Sequence, residues 1–372
     1  MEDNRAEAGT VAHREPGTLD DRGRFILHKF QQPIGEETYE IVPQEGMVSA
    51  KVKFRFNDRG EEVALTATFR GALDLTPSFF EAEGKNCRQA ELQVSAQVEA
   101  ERVRVRIRDR STERPRPFQF FTIAGYAPIT LQMLLVRYWE AHRRPTILPT
   151  FPGGSVRISP RGKDSITIHR RSVELDHYSI EGLIWGREHL WFDSDLNLVA
   201  VVTLDAEFDH FEAIREGFEE GLSDFITRAG ADGMASLAEL AERISGTQAD
   251  LWAIVGGTLI DGTDGPTVPD SVVLVRGGRL LAVGPRSEVR IPDTAQRVAV
   301  EGKCVLPGLW DMHAHFQQVE WGPIYLAAGV TTVRDCGNEL EFITSVRDAI
   351  AQGRGLGPRI LAAGVVDGRG PL

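Results

Sequence analysis

The stretch Pro307-Gly308-Leu309-Trp310-Asp311-Met312-His313-Ala314-His315 carries the densest chemistry in the chain. It opens on a Pro-Gly turn, continues as a strand and places two histidines at i and i+2. Successive side chains of a strand point to opposite faces, so His313 and His315 share one face. Two imidazoles side by side can chelate one divalent ion, and zinc takes such nitrogen ligands at about 2.0–2.1 Å. Nine histidines in 372 residues give about 0.2 pairs of this spacing by chance, so the context decides. Asp311 precedes His313 by two residues, one step deeper on the same face. There it would orient an imidazole or a metal-bound water without touching the ion itself.

The context is a change of period. Upstream, short strands alternate with glycine-rich turns over 252–260, 271–275, 280–283, 297–300 and 304–306. Downstream, strands at 309–315, 330–334 and 359–363 alternate with helices at 324–328 and 340–352. That alternation is the pattern of a parallel βα arrangement. In a barrel of such units the active face lies at the C-terminal ends of the strands, where the histidine pair falls.

These residues carry a family resemblance. The run from Lys303-Cys304-Val305-Leu306 through Pro307 to His315 is similar to the first-strand signature of the amidohydrolase superfamily, in the branch of imidazolonepropionase-like and prolidase-like enzymes. Ala328-Gly329-Val330-Thr331-Thr332-Val333-Arg334-Asp335 resembles the family's second strand, and Gly357-Pro358-Arg359-Ile360 its third. Gly257-Thr258-Leu259-Ile260-Asp261-Gly262 and Gly277-Gly278-Arg279-Leu280-Leu281-Ala282-Val283-Gly284 resemble the small β-domain that precedes the barrel. The likeness covers about residues 250–372.

The resemblance implies a (β/α)8 TIM barrel with one or two divalent metals, usually zinc, and puts His313 and His315 on the more buried ion. It implies a hydrolase in which a metal-activated water attacks a C–N bond of a small molecule: an amide, a cyclic amide or a dipeptide. Binding to such an ion brings the pKa of water toward about 7. The family's other ligands come from later strands: a lysine, two histidines, and an aspartate that is also the base. No histidine follows His315, and three strands do not close an eight-stranded barrel. The expectation is a fragment with no catalytic residue of its own, inactive alone, whose base belongs to sequence beyond Leu372.

The rest of the chain has another character. Residues 1–22 are polar, aperiodic and expected to be disordered. From Phe25, strands with period two follow one another, as in Arg102-Val103-Arg104-Val105-Arg106-Ile107-Arg108. Its arginine face is expected to meet cross-strand carboxylates. A helix is expected at 129–142. Asp205 is expected to N-cap a second helix over 207–228, with Phe208, Phe211, Phe218 and Phe225 on one side, and a third is expected at 236–244.

The expected fold class is therefore multidomain α+β. A disordered 1–22 leads into an antiparallel β-rich domain over 23–228 with one or two helices, and a helical linker spans 229–250. The small β-domain covers 251–306, and the first units of an incomplete metal-dependent barrel cover 307–372. The β-rich domain also faintly resembles lipoprotein-carrier-like half-barrels. This supports a competing reading: a non-catalytic binder of apolar ligands with a vestigial barrel segment.

Other residues read as structural. His177, His189 and His210 show no ligand spacing to one another. Arg334 and Asp335 suit an ion pair closing a loop, and Cys336 a small buried filler. The aromatics of Ile184–Asp193 suit core packing, with an apolar pocket as the alternative. There is no phosphate-binding loop, nucleophile elbow or HExxH helix.

The formal net charge of −12 argues against a nucleic-acid partner. Three cysteines without a CxxC pair suggest neither a disulfide framework nor a thiolate zinc site. No apolar run is long enough to span a membrane and no signal peptide is visible. The expected location is cytoplasmic, or periplasmic if the true start lies upstream. Nothing in the sequence speaks to oligomeric state.

Overall fold

Strict alternation builds the largest element. In Met47–Asp58 the side chains of Val48, Ala50, Val52, Phe54 and Phe56 are buried while Lys51, Lys53 and Arg55 face water. Strands of this kind follow one another as hairpins. The first arm comprises β1 (Asp21–Lys29), β2 (Gln32–Gln44), β3 (Met47–Asp58), β4 (Glu61–Ala72), β5 (Pro77–Lys85), β6 (Glu91–Val98), β7 (Arg102–Ile107) and β8 (Arg110–Pro115). The second comprises β9 (Phe121–Thr122), β10 (Leu148–Phe151), β11 (Ser155–Ile168), β12 (Arg171–Glu181), β13 (Arg187–Phe192), β14 (Leu198–Leu204) and β15 (His210–Arg215), with helix α1 (Ile129–Ala141) between β9 and β10. The arms join through the antiparallel pairing of β1 with β15, giving one 15-stranded sheet. Every neighbouring pair is antiparallel except β9 with β10.

The structure, a computed structural model, describes residues 20–58, 60–244 and 249–365. Of the 22 residues expected to be disordered, 1–19 lie outside the described residues, and Asp21 and Arg22 already belong to β1. Leu372, past which the catalytic base is expected, also lies outside the described residues.

α1 is buried from Ile129 to Glu140 within the core that both arms supply. A buried helix start needs acceptors for its free amides, and Pro128 offers no capping side chain. Glu37 of β2 supplies them. It accepts the Ile129 N–H at 2.6 Å, the Thr130 N–H at 2.7 Å and the Thr130 hydroxyl at 2.5 Å. Arg137 in the same helix donates to the Leu196 carbonyl at 2.9 Å and to Asn197 Oδ1 at 2.7 Å.

The expected helix over 207–228 is corrected. Asp205 caps no helix; its Oδ1 accepts the N–H of Glu207 and of Asp209 in a tight turn. β15 then pairs with both β14 and β1. His210 to Ile214 are all buried, because both faces of this central strand are covered, so no alternation shows in the sequence. The real helix, α2 (Leu222–Ile244), runs unbroken through the expected helix end at Arg228 and the expected third helix.

The arginine face of β7 does meet carboxylates: Arg102 and Arg104 both reach Glu113 on β8, and Arg104 also reaches Glu99.

After α2 come β16 (Leu251–Val255), β17 (Thr258–Leu259), β18 (Ser271–Arg276), β19 (Arg279–Pro285), β20 (Gln296–Ala299) and β21 (Cys304–Val305). They form a four-stranded sheet ordered β19-β18-β16-β20 and a small β17-β21 pair. The last unit is a parallel sheet of β22 (Leu309–Ala314), β23 (Val330–Asp335) and β24 (Arg359–Ala362). Helices α3 (Trp321–Ala327) and α4 (Leu340–Ala351) lie between its strands in sequence. Gly308 is required where β22 begins, since a Cβ there would overlap the Thr331 side chain of β23. A core of Trp191, Val199, Phe225, Met234, Phe316, Phe342 and their neighbours joins this unit to the large sheet through α2.

Glu188 of β13 is fully buried. Its Oε1 accepts Gln132 Nε2 and Thr203 Oγ1, both at 2.8 Å, and its Oε2 has no partner. Burial pushes this carboxyl from 4.5 up to about 7. Between those values the fold holds a proton that the unfolded chain has released, so this group's contribution to stability falls as pH rises. Glu188→Gln keeps both accepted bonds and removes the titration. Urea melts are expected to show the variant gaining on the parent from pH 4.5 to above 7; a constant gap across that range contradicts the burial argument.

Candidate metal centre

β22 is an edge strand, and its pairing with β23 shifts register between Asp311 and Ala314. The irregularity does not separate the two histidines. The rings of His313 and His315 lie 5.4 Å apart between centroids, inclined by 50°. His315 Nδ1 sits 2.9 Å from the Gly337 carbonyl oxygen. A carbonyl only accepts, so Nδ1 carries the proton and the Nε2 lone pair is left free. This is how metal-binding histidines are usually oriented. Asp311 makes a local bond instead: its Oδ1 accepts the backbone N–H of His313 at 3.0 Å.

The loop beneath the pair is tied by Asp335, which is fully buried at the end of β23. Its Oδ2 accepts the Phe316 N–H at 2.7 Å and Asn338 Nδ2 at 3.1 Å, and its Oδ1 accepts the Gly337 N–H at 3.2 Å. Asn338 Nδ2 also donates to the Phe316 carbonyl at 2.9 Å. Asp335 therefore closes the loop through N–H donors, not through the expected ion pair with Arg334, whose side chain is exposed. Cys336 is only half-buried, not the expected buried filler, and its Sγ lies 3.7 Å from the Met312 carbonyl oxygen. In the loop that leaves β22, Glu320 accepts Arg187 Nε of β13 at 2.9 Å, which fastens that loop to the large sheet.

Two groupings of three possible metal ligands occur among the described residues, and neither contains His313 or His315. In Asp58, Cys87 and Asp205 the cation place is already filled: Lys29 Nζ lies 3.0 Å from Asp58 and 2.5 Å from Asp205. Burial alone would lower the Lys29 pKa, but Asp205 and Asp58 outweigh it and raise the value.

The other grouping is His177, His189 and Asp232. Reading its histidines as lacking ligand spacing is corrected here: the β12–β13 hairpin brings two rings twelve residues apart within 3.0 Å. The usable signal was parity, because His177 faces Trp191 in the register and His189 lies two residues from Trp191. His210 stands elsewhere, its ring tilted by 55° against Phe342 with centroids 4.3 Å apart, and burial pushes its pKa down to about 3.

The aromatics of 184–193 divide. Trp191 and Phe192 are core, whereas Trp185 is exposed and lines an apolar pocket of about 380 Å³ with Phe208, Trp321, Ile324 and Tyr325. No helix among the described residues is long and apolar enough to cross a membrane.

No family model and no curated protein matches this chain. Similar solved structures include molinate hydrolase, 33% identical over 32% of this chain and 30% of that one, with a TM-score of 0.30. Phenylurea hydrolase B is 31% identical over 32% of each chain at a TM-score of 0.29. A Xaa-Pro dipeptidase with bound methionine in its active site is 28% identical over 31% of this chain and 33% of that one, also at 0.29. The chain spans about a third of the length of these structures.

If Asp335 holds the His315 loop, Asp335→Ala leaves buried donors unpaired at about 1–3 kcal/mol each. Denaturant melts should register that loss. A variant with parental stability contradicts this role.

Proposed function

We propose that His313 and His315 are two ligands of a divalent metal centre, most simply zinc, in a hydrolase that cleaves a C–N bond of a small molecule. One observation carries the reading: the rings stand together at the end of a parallel strand, with the His315 Nδ1 proton committed to the Gly337 carbonyl. The donor set fits, since neutral imidazole nitrogen suits zinc.

The ion, when bound, supplies a Lewis acid and brings a water toward deprotonation at neutral pH. The chain's own residues position it. Gly337 fixes the His315 tautomer, Asp311 fixes the backbone at His313, and Asp335 sets the distance between the loops that hold them. Position at the C-terminal end of a parallel strand, rather than burial, is what favours chemistry over packing: both histidines are exposed. Amide, cyclic amide and dipeptide bonds are the proposed substrate class, and this rests on the resemblance of 303–315, 328–335 and 357–360.

Because both rings are exposed, replacing them should cost the fold within about 0.5 kcal/mol. Metal analysis after dialysis against zinc should therefore find less zinc on the His313→Ala/His315→Ala chain than on the parent, with unchanged circular dichroism. Equal zinc on both removes the basis of the proposal.

The binding reading retains one observation, the apolar pocket formed by Trp185, Phe208, Trp321, Ile324 and Tyr325. It lies between loops of the large sheet and α3, not inside the β-rich domain. Under that reading an apolar probe alters tryptophan emission in the parent but not in a Trp185→Ala/Trp321→Ala variant. An identical response from both chains would dismiss the pocket as its site.

A further inference from the structure

The second constellation with cation chemistry lies far from β22 in the sequence. His177 of β12 and His189 of β13 are diagonal neighbours on one face of their hairpin, both buried. His177 Nε2 and His189 Nδ1 are 3.0 Å apart. α2 brings Asp232 Oδ2 to 3.8 Å from the same His189 nitrogen, and the three ligand atoms all lie within 4.8 Å of one another. Ligands set tetrahedrally at about 2.0–2.1 Å from zinc are about 3.3 Å apart, between the 3.0 and 3.8 Å spacings seen here.

The surroundings are arranged as behind a metal ligand. Asp164 Oδ2 of β11 lies 3.2 Å from His177 Nδ1, opposite the nitrogen that faces His189. Asp164 itself accepts Trp191 Nε1 at 2.9 Å and Arg228 Nη1 at 2.8 Å. A carboxylate behind an imidazole fixes the Nδ1–H tautomer and turns the Nε2 lone pair forward. Arg161 sits where the β11–β12 register shifts, a bulge that re-aims its side chain, and its Nε donates to both carboxylate oxygens of Asp232 at 2.9 Å. An imidazole–imidazole hydrogen bond accounts for the 3.0 Å contact. Arg161 holds the Asp232 carboxylate so that a third ligand atom faces the same ring nitrogen.

We propose that His177 Nε2, His189 Nδ1 and Asp232 Oδ2 bind one zinc-like divalent ion, with solvent as the fourth ligand, and that this ion staples α2 to the large sheet. Two nitrogens and one oxygen suit zinc better than calcium or magnesium, which take oxygen ligands. The staple also bears on the parallel unit, because α2 packs against both.

The full chain carrying His313→Ala and His315→Ala isolates this site. It is expected to bind one zinc, to melt at a higher temperature with zinc than without, and with cobalt to show the strong visible absorption of a four-coordinate ion. Adding His177→Gln or His189→Gln should abolish all three. Asp164→Asn, which leaves the ligands in place, should weaken zinc binding about 10- to 100-fold and serves if the histidine variants fail to fold. No zinc on the His313→Ala/His315→Ala chain overturns the proposal, as does full affinity after Asp164→Asn or after His177→Gln with His189→Gln. Zinc lost only with His177 and His189 would uphold this site and defeat the proposal for His313 and His315.

Discussion

The geometry at the end of β22 depends on the carboxyl group of Asp335. It is buried completely and met only by N–H donors, from Phe316, Gly337 and Asn338. Those donors belong to two loops, one leaving β22 and one leaving β23. Without a common acceptor the loops would have to find separate partners, and the Gly337 carbonyl would have no fixed relation to His315. A buried acceptor with several converging donors is costly to disturb, because each donor left behind loses its hydration without replacement. That cost makes the imidazole orientation a property of the fold and not of a flexible edge.

The large sheet uses the same device repeatedly. Glu37 satisfies the start of a helix that water does not reach, Glu188 gathers Gln132 and Thr203, and Lys29 is held between Asp58 and Asp205. Burial pushes Glu37 and Glu188 up to about 7, the expected response of a carboxyl group taken out of water without a cation beside it. These groups fix where α1 sits inside the sheet. The outer side of the sheet is closed by α2, whose Phe225, Ile226 and Met234 reach both the strands and the parallel unit.

Much of this was legible because local pattern and environment agree. β3 alternates in sequence because one face is wet and the other dry. α1 is an apolar run bounded by Pro128 and by the polar residues after Ala141, and its expected span of 129–142 agrees with the helix to within one residue. The alternation of strand and helix after Pro307 survives as β22, α3, β23, α4 and β24. β15 was not legible. Covered on both faces, it lacks the period of two, and phenylalanines spaced by three and seven imitated a helix. His177 and His189 were not legible either. Their meeting depends on the register of a hairpin whose loop length is invisible until Glu181 is seen to pair with Arg187. The adjacency of Asp335 to Arg334 suggests an ion pair, and it says nothing about the backbone donors of two distant loops.

The central claim is that His315 offers a free Nε2 beside His313, and long-range proton–nitrogen NMR of the histidine rings tests it most directly. In mildly alkaline solution the account predicts a proton on Nδ1 of His315, with added zinc displacing the Nε2 signal of that ring and perturbing the ring of His313. A proton found on Nε2 of His315, or two rings whose signals ignore zinc, would contradict it.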